Sequence, residues 1–289
     1  MAEAKSGLGV EFVRAGLGCF ATVVAALIGG VFLLLSTNRD KQAPTPPPPT
    51  VTPAASPAAT LCTGVQTYVL RSYFPQDEIR ECWGRDHYLT GLAYGGGSWV
   101  AVLSKDIGYT NQAYLKNANF PADDLRGYWD RDYYITDAAY GQNQWVISMS
   151  SGAGYTDQVY YLDDSFPESD IRDRWDQGYW ITALAYGNGS WLVVLSKGRN
   201  LQRQAYYTNA SFPADQISGE WNNGADITEA AYGDGLWAIV TSEGAGYTDQ
   251  TYLKGPEVPG DAIKTHWDED LDITSVAFGD ATWLFAMSK

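Results

Sequence analysis

Three short segments bring an aromatic ring and a hydrogen-bonding side chain to the same place in the chain. IGYTN (107–111) and two copies of GAGYTDQ (152–158 and 244–250) set Tyr109 beside Asn111, Tyr155 beside Asp157 and Tyr247 beside Asp249. A stacking face next to a carboxylate or amide is what a sugar ring requires, so these six residues form the candidate ligand-binding set. The alternative for the tyrosines is plain packing at a turn. The Gly-x-Gly in the same segments resembles a phosphate loop only superficially, because a strand rather than a helix follows it.

A second group is Cys62, Cys82 and His87. Cys82 and His87 could form a thiolate–imidazole nucleophile. A Cys62–Cys82 disulfide is the stronger expectation; it would remove that thiolate and requires an oxidising compartment. The acidic runs Asp123-Asp124, Asp163-Asp164 and Asp268-Glu269-Asp270 lack calcium-loop spacing and read as solvated helix caps. The chain has no G-x-S-x-G, H-E-x-x-H or C-x-x-C and only 2 histidines. The reading is a protein that is not an enzyme and uses no cofactor or metal.

The elements that must position these residues come as a repeat. LTGLAYG (89–95), ITDAAYG (135–141), ITALAYG (181–187), ITEAAYG (227–233) and ITSVAFG (273–279) recur at an offset of 46 residues. The same period carries Trp99, Trp145, Trp191, Trp237 and Trp283, and a second series from Trp83 to Trp267. It also carries Gln66, Gln112, Gln158, Gln204 and Gln250, and Ser104, Ser150, Ser196, Ser242 and Ser288. Within one unit, WITALAYG reads as a strand, NGS as a tight turn and WLVVLSK as a buried strand. QAYYT reads as a third, more polar strand, and PADQISGEW as a short helix or, in some units, a fourth outer strand. Repeated Trp, Tyr, Ala and Gly are expected in the core and between units, and the repeated Gln and Ser on backbone groups. Positions that differ between units are then the better candidates for specific binding.

From Cys62 to Lys289 the chain is two residues short of five periods, starting at the third strand (VQTYVL, 65–70) and ending after the second (WLFAMSK, 283–289). The ragged ends together make one unit. The expected fold is therefore mainly β: a five-bladed β-propeller-like ring of three strands plus a short helix per repeat. Its last blade is completed by the N-terminal strand, and the disulfide pins that strand in place.

The pattern GYTDQVYYLDDSFPESDIRDRWDQGYWIT (154–182), echoed by GYTDQTYL (246–253), resembles a repeat region of uncharacterised function. In plant casein-kinase-like kinases, and beside some bacterial Ser/Thr kinases, that region lies C-terminal to the catalytic domain. The resemblance covers residues 62–289 and implies an accessory domain, not kinase activity. The Gly-rich nucleotide loop, V-A-I-K, H-R-D and D-F-G motifs do not occur in this sequence. The third unit departs from the pattern, with KGRNLQRQ where others have GAGYTDQ. The layout also resembles that of a five-bladed propeller lectin of nearly equal repeat length, in arrangement but not in residues.

Ahead of the repeats lie a tail (1–14), an uncharged 23-residue run (15–37) and a proline-rich stretch (38–60). The run would span roughly 34 Å as a helix, enough for a transmembrane segment. The following APTPPPPTVTPAASPAAT suits a stiff spacer of about 50 Å. Of the net charge of −15, residues 1–60 contribute +1 and residues 61–289 therefore −16; such a surface repels phosphate backbones and makes nucleic acid an unsuitable partner. Two basic residues flank each side of the span, leaving orientation tied; the cysteine pair and the spacer favour an extracytoplasmic C-terminal domain. The functional expectation is a membrane-anchored, non-catalytic binding or scaffold module for a protein or cell-surface ligand. The alternative is a multivalent lectin using the Tyr and Asp/Asn loop tips.

Overall fold

The computed structural model describes residues 61–289. The tail, transmembrane and linker assignments (1–14, 15–37, 38–60) lie outside the described residues; among those described, no helix is long and apolar enough to cross a membrane. The described chain is five three-stranded antiparallel sheets and five short helices.

The first module runs β1 (Gln66–Arg71), α1 (Gln76–Trp83), β2 (His87–Gly95) and β3 (Ser98–Lys105). The second runs β4 (Asn111–Asn117), α2 (Ala122–Trp129), β5 (Tyr134–Gly141) and β6 (Gln144–Ser151), and the third β7 (Asp157–Asp163), α3 (Glu168–Trp175), β8 (Trp180–Gly187) and β9 (Ser190–Lys197). The fourth is β10 (Arg203–Asn209), α4 (Ala214–Asn222), β11 (Ala225–Gly233) and β12 (Leu236–Glu243); the fifth is β13 (Gln250–Gly255), α5 (Gly260–Asp268), β14 (Asp272–Gly279) and β15 (Thr282–Ser288). In every sheet the last strand of the module lies in the middle. This is the continuous apolar run, and Trp191 to Leu195 in β9 are at most 1% exposed because sheet neighbours flank both edges and packed side chains cover both faces. The β8–β9 hairpin turns on Asn188 and Gly189, both at positive φ (51° and 82°), as an Asn-Gly turn favours. The segment after each outer strand is a helix in all five modules, entered at a proline and burying one aliphatic residue: Ile79, Leu125, Ile171, Ile217 or Ile263.

The expected phase of the repeat is corrected. Strand 66–71 does not complete a sheet begun at the other end of the chain. It pairs with β3, and every sheet is built from one contiguous segment. The outer and inner strands of a sheet lie two strand spacings apart, about 10 Å, and an eight-residue helix rising about 12 Å bridges that crossing. The short loop after each middle strand steps to the next sheet instead. The Cys62–Cys82 disulfide forms, but it too lies within one module, tying the segment before β1 to the end of α1 rather than pinning a shared strand.

The inner strands pack in the order β2, β5, β8, β11, β14, and β14 packs in turn on β2. Two repeated devices hold each junction. First, the glycine ending an inner strand abuts an aromatic ring of the preceding module: Gly141 on Tyr94, Gly187 on Tyr140, Gly233 on Tyr186, Gly279 on Tyr232 and Gly95 on Phe278. A Cβ at any of these glycines would overlap the ring. Second, each repeated glutamine clamps the preceding module. Gln112 Oε1 accepts from Trp83 Nε1 (2.8 Å) and the Leu89 amide (2.7 Å), while its Nε2 donates to the Leu89 carbonyl (2.8 Å) and Ser150 Oγ (2.9 Å). Gln66 makes the same four bonds to Trp267, Ile273 and Ser104, joining the first module to the fifth.

Candidate functional site

Each inner strand bulges at a threonine. The pairing of β2 with β3 shifts between Leu89 and Gly91, and the pairings at Thr136, Thr182, Thr228 and Thr274 shift in the same way. The bulged hydroxyl is held by the serine that also binds the clamp glutamine, as in Thr90–Ser104 (2.7 Å) and Thr136–Ser150 (2.8 Å). A bulge re-aims the residue after it. Here that position is Gly91, Asp137, Ala183, Glu229 or Ser275; all but Ala183, which is buried in the core, face a common chamber.

Asp137, Glu229, Gly91 and Ser275 line one small chamber of ≈ 30 Å³ to which all five inner strands contribute. Burial pushes the Asp137 carboxyl up to about 8, even though the amides of Ala138 and Leu92 bond it and pull the other way. Burial likewise holds Glu229 well above the ordinary glutamate value; the Asp137 charge adds to this and Arg199 opposes it. Burial therefore shifts both acids in the same direction, toward the protonated form. Among the described residues no three His, Cys, Asp or Glu side chains gather around a point that could hold a metal ion.

Above this chamber lie the tyrosines of the candidate set. Tyr109, Tyr155 and Tyr247 are half-buried. Their hydroxyls turn inward to Thr136, Thr182 and Thr274 of the following modules. Burial raises all three, Tyr155 to about 12, and the Arg199 charge moderates each. Tyr109 and Tyr155 also pack edge-on against Tyr88 and Tyr134, with ring centroids 6.2 and 6.1 Å apart. Their polar neighbours Asn111, Asp157 and Asp249 stay exposed at the start of the outer strands. Asn111 caps the Gln112 amide (2.8 Å), and Asp157 caps that of Gln158 (2.9 Å) while accepting from Tyr179 (2.5 Å). The structure therefore gathers the three tyrosines around the common centre and leaves their acidic or amide partners at the rim.

The loops between modules interlock. Gly152, Gly198 and Gly244 have φ of 77°, 101° and 82°. A Cβ on Gly152 would lie 2.6 Å from the Gly108 carbonyl oxygen, and one on Gly198 would overlap the Gly154 carbonyl. Between the second, third and fourth of these loops opens a cleft of ≈ 280 Å³ bounded by Gly154, Arg199, Asn200, Leu201 and Gly244. Its charged residue, Arg199, is exposed and belongs to the unit that breaks the repeat.

Asp137, Glu229 and Arg199 are absent from the candidate set drawn from the sequence. The available signal was variation: the residue after the repeated threonine reads Gly, Asp, Ala, Glu, Ser, and Arg199 stands where other units have Leu, Ile or Ala. Cys82 and His87 do not form a nucleophile pair. The Cys82 sulfur is bonded to Cys62, and the buried His87 ring lies between the carbonyls of Arg85 (2.9 Å) and Gly64 (2.6 Å).

The chain belongs to the DUF7477 family, a domain of unknown function, which matches residues 57–188 and again 180–289. No curated protein matches the chain in sequence.

Proposed function

We propose that this protein is a membrane-anchored, non-catalytic binding module. In this reading the five sheets are the blades of a closed β-propeller, held by residues 15–37 and a proline-rich spacer outside the cytoplasm. The cyclic order of inner strands and the five equivalent glutamine clamps support closure; the disulfide supports an oxidising compartment. The resemblance of this sequence to repeats that accompany kinase domains fits an accessory rather than a catalytic role.

One observation carries the binding assignment. Three of the five loop segments share the Gly-Tyr-Thr tip, and the cleft opens at one of the two that depart from it, residues 198–203. This asymmetric cleft suits one ligand per chain better than the multivalent lectin alternative, which needs equivalent sites. The test is a panel of cell-surface glycans and peptides against the full chain, with stoichiometry from calorimetry. One ligand per chain is expected. Several equivalent glycan sites, lost in Tyr155→Ala/Tyr247→Ala, would replace this reading with the lectin. Labelling of Cys62 and Cys82 by a membrane-impermeant thiol reagent in intact cells, only after reduction, is the expected result for the proposed orientation.

A further inference from the structure

We infer that the Arg199 cleft binds the carboxylate of a small hydroxylated acid, of the kind a sugar acid presents; this rests on the binding-module reading above. Four observations lead there. The cleft holds ≈ 280 Å³, just under the roughly 300–1,000 Å³ of pockets for drug-sized ligands, so one sugar-sized unit fits. Among the described residues Arg199 has neither an ion pair nor a hydrogen bond to spend its guanidinium on: the arginines paired there to carboxylates within 4 Å are Arg71, Arg80, Arg85, Arg172 and Arg203. Residues of three successive inter-module loops, Gly154, Arg199 and Gly244 among them, line the cleft, and the Arg199 charge lowers the shifts of Tyr109, Tyr155, Tyr247 and Glu229.

The fourth observation is the backbone. No backbone carbonyl among the described residues accepts the amides of Gly154, Asn200 or Ala245, all of which belong to residues bordering the cleft. The interlocked glycines fix these loops, so the donors are pre-arranged rather than ordered on binding. The guanidinium fork matches two carboxylate oxygens. A dianionic phosphate is the poorer match, since residues 61–289 carry a large negative excess and the cleft supplies one cation. Asn200 and the free amides then suit hydroxyl groups on the same ligand.

The experiment is calorimetry of the full chain in detergent with sodium glucuronate, glucose and inorganic phosphate as probes. Glucuronate is expected to bind one per chain and glucose at least about tenfold more weakly, because the charge-assisted pair is lost. Arg199→Gln should weaken glucuronate about tenfold or more, with little change in melting temperature, since the Arg199 side chain makes no hydrogen bond or ion pair among the described residues. Arg126→Gln, on the exposed face of α2, should leave binding unchanged and so separates the site from general charge. Glucuronate binding untouched by Arg199→Gln, or equal affinity for glucose, would overturn the inference. So would absence of binding at tens of millimolar glucuronate, or preference for phosphate. If a cell-surface ligand still binds one per chain in Arg199→Gln, the binding-module reading survives while this one fails.

Discussion

Asp137 shows how much the single residue decides in a repeat. Its equivalents are Gly91, Ala183, Glu229 and Ser275, so the bulge delivers two acids to one chamber among small side chains. The folded state holds the Asp137 proton up to about 8, whereas the unfolded chain releases it near the ordinary value of about 3.9. Between those values the native state binds more protons than the unfolded one, so stability falls as pH rises through that window. Asp137→Asn and Glu229→Gln should therefore raise the melting temperature by several degrees at pH 8 and not at all below pH 4. Thermal melts across pH would show this, and a gain independent of pH would contradict the assignment. These acids were hard to see in the sequence because a repeat draws the eye to what recurs. Tyr109, Tyr155 and Tyr247 were legible as a set, but not the inward turn of their hydroxyls, which depends on threonines 27 residues further on. Arg199 was visible only as a departure from the pattern.

At the scale of elements, the clamp glutamines and the strand-end glycines set how one sheet meets the next. Gln112→Leu strands the Trp83 indole N–H and both Leu89 backbone groups, each partly or wholly buried, and leaves the Ser150 hydroxyl only its bond with Thr136. At about 1–3 kcal/mol for each unsatisfied buried group, a loss of at least about 3 kcal/mol is expected in denaturant titration. Gly187→Ala pushes a methyl into the Tyr140 ring and should destabilise comparably. The hairpins and helices were readable from Asn-Gly turns, apolar runs and helix-entry prolines. The grouping of strands into sheets was not, because a strict period gives the content of a unit but not where the unit begins. Both pairings of a polar strand with an apolar one satisfy the same pattern; the helix crossing decides between them in three dimensions.

For the whole molecule, the junction between the first and fifth modules is chemically the same as the other four, yet no peptide bond reinforces it. Gln66 carries that junction from β1, and Cys62, four residues earlier, is tethered to α1. Cys62→Ser/Cys82→Ser should lower stability by about 2–4 kcal/mol. Amide hydrogen exchange should then rise first in β1 and β14, the strands that meet at this junction, before it rises elsewhere. Exchange that increases evenly over all five sheets would mean that the disulfide acts on the unfolded chain alone.

The contiguity of each sheet has a further consequence. Since no strand is shared between distant parts of the chain, cutting any inter-module loop, 106–110, 152–156, 198–202 or 244–249, leaves every sheet whole, and 106–110 also lies outside the cleft. A circular permutant that links Lys289 back to Leu61 and opens at 106–110 should fold to the same arrangement. Two separately expressed fragments divided at 152–156 should find each other through the clamps at both of their faces, making the domain a natural scaffold for split-protein complementation.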